Sequence, residues 1–200
     1  TPSDTRDEAL AQELGLGDAP VFGCLGQIGT APEVYAEVLS LLHSRHPKLR
    51  LLLIAPGGQA ERRIRDVAAA HGLGESLVII DKSNPERLAR YYSLFDVCAL
   101  VRPTSFMAAT ETPYSIYEAL AFGVPIVATS GLKALGAIQP GTTGLIAGDD
   151  SAASLAGLID RLLTEPGQRL ELTVAGRAQV RHAHSDTGIG QILSDLYNGL

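Results

Sequence analysis

The stretch 110–123, TETPYSIYEALAFG, holds the residues best suited to chemistry. Thr112 has the side chain of a helix N-cap, whose hydroxyl accepts from a free N–H of the first turn. Pro113 then takes the first helical position, where its missing N–H costs nothing. A helix start offers unpaired N–H groups and a partial positive charge, which together hold an anion such as a phosphate. Glu118 lies nearly two turns further in, and its own charge keeps it from binding that phosphate. It can accept from neutral hydroxyls a few ångströms along, such as a ribose diol. Phosphate at the cap and a diol at the carboxylate make a nucleotide site. The bland reading of the same residues is an ordinary α/β helix with a solvated Glu.

Such a helix needs a frame. Ile116, Ala119 and Leu120 give it an apolar face and Gly123 stops it, after which Val124, Ile126 and Val127 read as a short buried strand. Upstream, Thr5 and Glu8 have capping-box spacing and start a helix over 6–14. Residues 21–28, VFGCLGQI, read as a first strand whose glycines let the backbone approach a ligand. Thr30 and Glu33 repeat the capping box before a helix that turns Val34, Val38, Leu41 and Leu42 inward. A strand over 49–55 leads to a helix over 59–71, with Ile64, Val67 and Ala68 inward, and to a third strand over 77–80. Ser83 and Glu86 form another capping box, for a helix carrying Leu88, Tyr91, Tyr92 and Phe95. The fourth strand is 96–101, and 102–111 has no apolar period. A short helix over 131–139, a sixth strand over 144–147 and helices over 151–164, 166–184 and 186–200 complete the chain, with Asp149 and Asp150 as caps for the first of these.

Six short apolar strands alternating with helices predict an α/β fold: a doubly wound, six-stranded parallel sheet with helices on both faces. Right-handed crossovers favour the Rossmann-like order 3-2-1-4-5-6, with ligands at the carboxyl ends of strands 1 and 4. Gly26, Gln27 and Thr30 follow strand 1; Arg102, Thr110 and Thr112 follow strand 4. The stretches with chemistry therefore fall at the point where the strand order reverses.

The chain has 200 residues, 46% hydrophobic and 19% charged, which suits one domain with a sizeable core. A net charge of −6 argues against a nucleic-acid surface. No basic amphipathic helix and no apolar run of membrane-spanning length is present, so no membrane insertion is expected from this segment. Cys24 and Cys98 fall inside predicted strands and read as buried thiols, which fits a reducing, cytoplasmic compartment. No signal peptide is present, and the only methionine is Met107, which suggests a piece of a longer protein. His43 with His46, and His182 with His184, read as surface residues rather than metal ligands. Tyr91 and Tyr92 read as packing rather than as a base-stacking platform.

At this point the motifs match a family. GCLGQIG, LARYYSLFDVCALVRPT, TPYSIYEALAFGVPIVAT and GTTGLIAGDD resemble, over nearly the whole chain, the C-terminal, donor-binding domain of the group 1 (family 4) retaining glycosyltransferases, two-domain enzymes of the GT-B fold. The resemblance implies a nucleotide-sugar donor as partner, no metal or other cofactor, and an acceptor-binding N-terminal domain outside this segment. It implies that Glu118 binds the ribose hydroxyls. It further implies that Thr112, Pro113, Tyr114 and Ser115 hold donor phosphates, and that Asp81, Lys82 and Ser83 lie near the base.

Two departures stand out. The family's first Glu, the catalytic sugar contact, falls at Thr110 here, so Glu111 takes that role only through a one-residue change in the loop. The family's Arg and Lys after strand 1 are replaced by Gln27 and by Pro32 or Glu33, leaving Arg102 or Lys82 to offset the diphosphate charge. The full-length protein is therefore expected to be a hexosyltransferase and the isolated chain inactive. The alternative is a glycosyltransferase-like domain without donor chemistry, serving binding or assembly; a GT-B sugar-nucleotide epimerase fits less well.

Overall fold

Six strands lie side by side in a computed structural model of the chain, which describes residues 5–26, 28, 31–54, 58–80, 84, 87–102 and 114–183, without the side chains of 134 and 135. The strands are β1 (Val21–Leu25), β2 (Arg50–Ile54), β3 (Leu77–Ile80), β4 (Val97–Leu100), β5 (Ile126–Ala128) and β6 (Gly144–Ile146). All pair in parallel, in the order β3-β2-β1-β4-β5-β6. The expected order holds because each right-handed crossover adds its strand beside the last, until the step from β3 to β4 carries the chain back past β1.

The helices are α1 (Glu8–Glu13), α2 (Glu33–His43), α3 (Gly58–Ala70), α4 (Leu88–Tyr92), α5 (Tyr114–Phe122), α6 (Ala152–Thr164) and α7 (Pro166–Ala183). Helix α2 packs on α3 and α6, whereas α5 packs on α4 and α7, which gives the sheet a layer on each face. Both layers cover apolar strands: every residue of β1, β4 and β5 is buried.

Several local expectations change. Helix α1 is capped by Asp7, whose carboxylate accepts from the Leu10 N–H, and not by Thr5. Strand β1 ends at Leu25 because Gly26 turns away at φ +97°, a conformation that strains any side chain. Gly23 serves the sheet rather than a ligand: a Cβ there would stand 1.8 Å from the Leu52 carbonyl oxygen of β2. Leu41 faces outward at 51% exposure, and Tyr35 and Leu39 take the inward face of α2. The short helix after β5 is a 3-10 turn over Ser130–Leu135. Ser151, not Asp149 or Asp150, caps α6; Asp149 accepts from Ser151, and Asp150 accepts from Ser130. His46 is no surface histidine: its Nε2 lies 2.7 Å from Asp160 of α6 and ties that helix to the turn after α2. The predicted helix over 186–200, His184, and the capping residues Thr30, Ser83 and Glu86 fall outside the described residues.

The amino end of the sheet is closed by ion pairs. Asp96 accepts from the Val21 N–H at 2.8 Å and pairs with Arg169 of α7 at 3.2 Å, while its own N–H donates to the Val21 carbonyl. The acidic residue of the FDV segment thus pins β1 to β4 at the edge away from the ligand side.

Candidate functional site

Helix α5 runs between β4 and β5 and carries the site's carboxylate. Ile116, Ala119 and Leu120 are buried beneath it. Its far end is fixed from α7: Thr173 donates to the Gly123 carbonyl and Arg177 to that of Phe122, placing a cation where the helix dipole is negative. Gly123, at φ +73°, ends the helix as its sequence position suggests. Glu118 is half-buried on this helix. Its Oε2 accepts from the Tyr92 hydroxyl at 2.9 Å. Among the described residues no cation pairs with it.

Among the described residues, the groups that interact with Glu118 are neutral. Tyr92 is fully buried, stacked on Phe122 at 5.1 Å and edge-on to Phe95 at 6.1 Å. Burial, then the Cys98 thiol and the Glu118 charge, push its phenol far above the usual range, so it remains a proton donor. Burial likewise lifts Cys24 to about 11, against a smaller opposing pull from the Tyr35 hydroxyl, and holds Cys98 well above the ordinary thiol value. The Glu118 charge raises both thiols further.

Two hydroxyls shape the exit of β4. Tyr35 of α2, itself buried, donates to the Ala99 carbonyl at 3.1 Å and accepts from the Val101 N–H at 3.3 Å. Thr129, at the end of β5, accepts from the Arg102 N–H and donates to the Arg102 carbonyl, both at 2.7 Å. That pair of bonds fixes the backbone at Arg102, just past the end of β4. Strand β1 lies beside β4, so Gly26 and Arg102 leave the sheet on adjacent strands. The Gly26 N–H donates to the Ile54 carbonyl at 2.8 Å, and the space where its side chain would stand is open.

Of the expected site residues, the structure describes Gly26, Arg102, Tyr114, Ser115 and Glu118. Tyr114 is strongly exposed at the start of α5, with Ser115 partly covered beside it. Gln27, Thr30, Asp81, Lys82, Ser83, Thr110, Glu111, Thr112 and Pro113 lie outside the described residues. Sequence reading missed the roles of Tyr92, Tyr35 and Thr129. A signal existed for Tyr92: a tyrosine expected in the core must find its hydroxyl a partner. Among the described residues no cluster of His, Cys, Asp and Glu is placed to hold a metal, and no helix is long and apolar enough to cross a membrane.

Comparison with known proteins bears on the family and the fold. The chain is 28% identical to the D-inositol 3-phosphate glycosyltransferase of Acidothermus cellulolyticus, over 94% of its own length and 43% of that protein's. It is 27% identical to a GDP-mannose-dependent alpha-(1-6)-phosphatidylinositol monomannoside mannosyltransferase of Mycolicibacterium smegmatis, over 88% of this chain and 47% of that one. It therefore spans somewhat under half the length of these relatives. In fold it is similar to Anabaena HepE, solved with UDP and glucose, with a TM-score of 0.79 at 16% identity, covering 96% of this chain and 52% of that one. The C-terminal domain of LpcC, a group 1 family protein of Francisella tularensis, superposes with a TM-score of 0.74 at 15% identity, covering 92% of this chain and 95% of that domain. Residues 6–179 match the family described as glycosyl transferases group 1, and the chain belongs to that family.

Proposed function

We propose that this chain is the donor-binding half of a retaining glycosyltransferase that moves a hexose from a nucleotide diphosphate sugar to an acceptor hydroxyl. The observation that carries this reading is Glu118, a half-buried carboxylate with a neutral donor on one oxygen and no cation among the described residues. Such a group suits a neutral diol. Glu118 would take the ribose hydroxyls, and the start of α5, with Thr112, Pro113, Tyr114 and Ser115, the diphosphate. Asp81, Lys82 and Ser83 would flank the base. Gly26, Gln27 and Thr30 would border the phosphates from β1, with Arg102 and Lys82 offsetting their charge. Glu111 would contact the sugar, with Thr110 beside it. Rate enhancement would come from positioning and from stabilising the departing diphosphate, without a metal. The acceptor would be held by a second domain, so the isolated chain would bind nucleotide and transfer nothing. A cytoplasmic setting fits the two free thiols.

Thermal unfolding with UDP, GDP, ADP and dTDP in turn tests this reading, with Glu118→Ala as control. A nucleotide at about ten times its dissociation constant adds roughly 1.4 kcal/mol, or about 3–6 °C. One nucleotide is expected to stabilise the wild type and not the variant. Silence from all four at millimolar concentration, in the chain and in the full-length protein, sinks the reading.

One observation favours a second reading, a domain that keeps the fold for binding or assembly without donor chemistry. Where family members carry a cation after the first strand, α2 opens with Glu33, which is itself occupied by Arg63 at 2.7 Å. Unchanged biological activity of the full-length protein after Glu118→Ala would select this reading.

A further inference from the structure

We infer that Tyr92 is a positioning residue for diol recognition: its hydroxyl holds the Glu118 carboxylate in the orientation that meets a ribose. The inference rests on the nucleotide site proposed above.

The pairing is long-range, from α4 to α5, and joins a fully buried phenol to a half-buried carboxylate at 2.9 Å. The two partners are not equally free to move. The ring of Tyr92 is locked between Phe122 and Phe95, so its hydroxyl is a fixed point. Glu118 is half-buried on α5, on a side chain with several rotatable bonds, which unbound would sample several rotamers. The fixed phenol selects one of them. A carboxylate has about four acceptor sites, and the phenol takes one, on Oε2. Among the described residues nothing else bonds the carboxylate, which leaves the remaining sites, including all of Oε1, for two vicinal hydroxyls. A lysine or arginine in the same place would hold the carboxylate too, but would compete for it as a charge. A neutral donor orients without neutralising, and burial keeps this one protonated. The affinity gained is that of a group already in its bound orientation.

Tyr92→Phe removes the hydroxyl and leaves both ring contacts. The test compares UDP, GDP and ADP with their 2′-deoxy counterparts by titration calorimetry on the full-length protein, for wild type, Tyr92→Phe, Glu118→Ala and the double variant. We expect Tyr92→Phe to weaken the ribonucleotide that binds by five- to tenfold and its 2′-deoxy counterpart by no more than twofold. We expect no further loss from Tyr92→Phe once Glu118 is Ala. Equal weakening of both nucleotides would make Tyr92 merely structural and overturn the inference, as would unchanged or tighter ribonucleotide binding. A loss that persists in the Glu118→Ala background overturns it as well. If Glu118→Ala itself leaves affinity unchanged, the nucleotide-site reading falls, and this inference with it. If Glu118→Ala weakens binding while Tyr92→Phe does not, the inference alone falls.

Discussion

The two ends of the sheet treat their carboxylates differently. At the amino end, Asp96 is engaged by the Val21 N–H and by Arg169, and Asp7 caps α1 while bonding Arg90. At Glu118, by contrast, one neutral hydroxyl is received among the described residues, and the thiols of β1 and β4 are uncharged. A carboxylate satisfied by backbone and cation is spent on structure. One held by a neutral donor keeps acceptor capacity. In an α/β sheet the carboxyl side is also where helix starts converge, so spare acceptors there are suited to ligands.

This contrast can be broken from either end. The largest stability effect is expected from Asp96→Ala, which strips a buried N–H and a guanidinium of their acceptor. A loss of about 2–3 kcal/mol, roughly 4–12 °C in Tm, should follow, with nucleotide affinity unchanged. A change in affinity larger than the change in stability would erase the distinction between the ends. Next comes Glu118→Ala, which leaves the buried Tyr92 hydroxyl without its partner and should cost about 1–2 kcal/mol. Adding Tyr92→Phe should return most of that stability, because nothing polar is then orphaned. Chemical denaturation of the three variants measures the coupling; simple additivity would mean that the 2.9 Å bond carries no weight.

The smallest effect concerns pH. Hydrogen bonding to Arg90, then to the Leu10 N–H, draws the Asp7 carboxyl below its ordinary 3.8. A depressed folded value gives stability that is fully present above the unfolded value and fades as pH falls through the folded one. The Tm gap between the wild type and Asp7→Asn, which still caps, should therefore shrink as pH drops below 4. A gap constant with pH would show that the charge of Asp7 contributes nothing.

The strand order was legible because it follows from six apolar runs and the handedness of crossovers, which are properties of local sequence and of chain connectivity. Gly123 was legible as a helix stop for the same reason. Glu118 stood out by its place in α5. What the sequence did not reveal are the pairings made in three dimensions. Nothing near Glu118 in the chain points to Tyr92, since the bond crosses from one helix to another. The same holds for Thr129 on the Arg102 backbone and for His46 on Asp160. Thr5 lost the capping role to Asp7 because Arg90, distant in sequence, anchors the latter. Gly23 misled because a glycine that admits a neighbouring strand and one that admits a ligand look alike in one dimension.

The two thiols in the middle of the sheet have a practical consequence. Cys24 and Cys98 are buried on adjacent strands and held protonated at neutral pH, so alkylating reagents meet neither a surface nor a nucleophile while the sheet is closed. Their labelling rate becomes a clock for opening of the central strands. Slowing of that clock by a bound nucleotide would report occupancy in crude extract, without purification or an assay for sugar transfer.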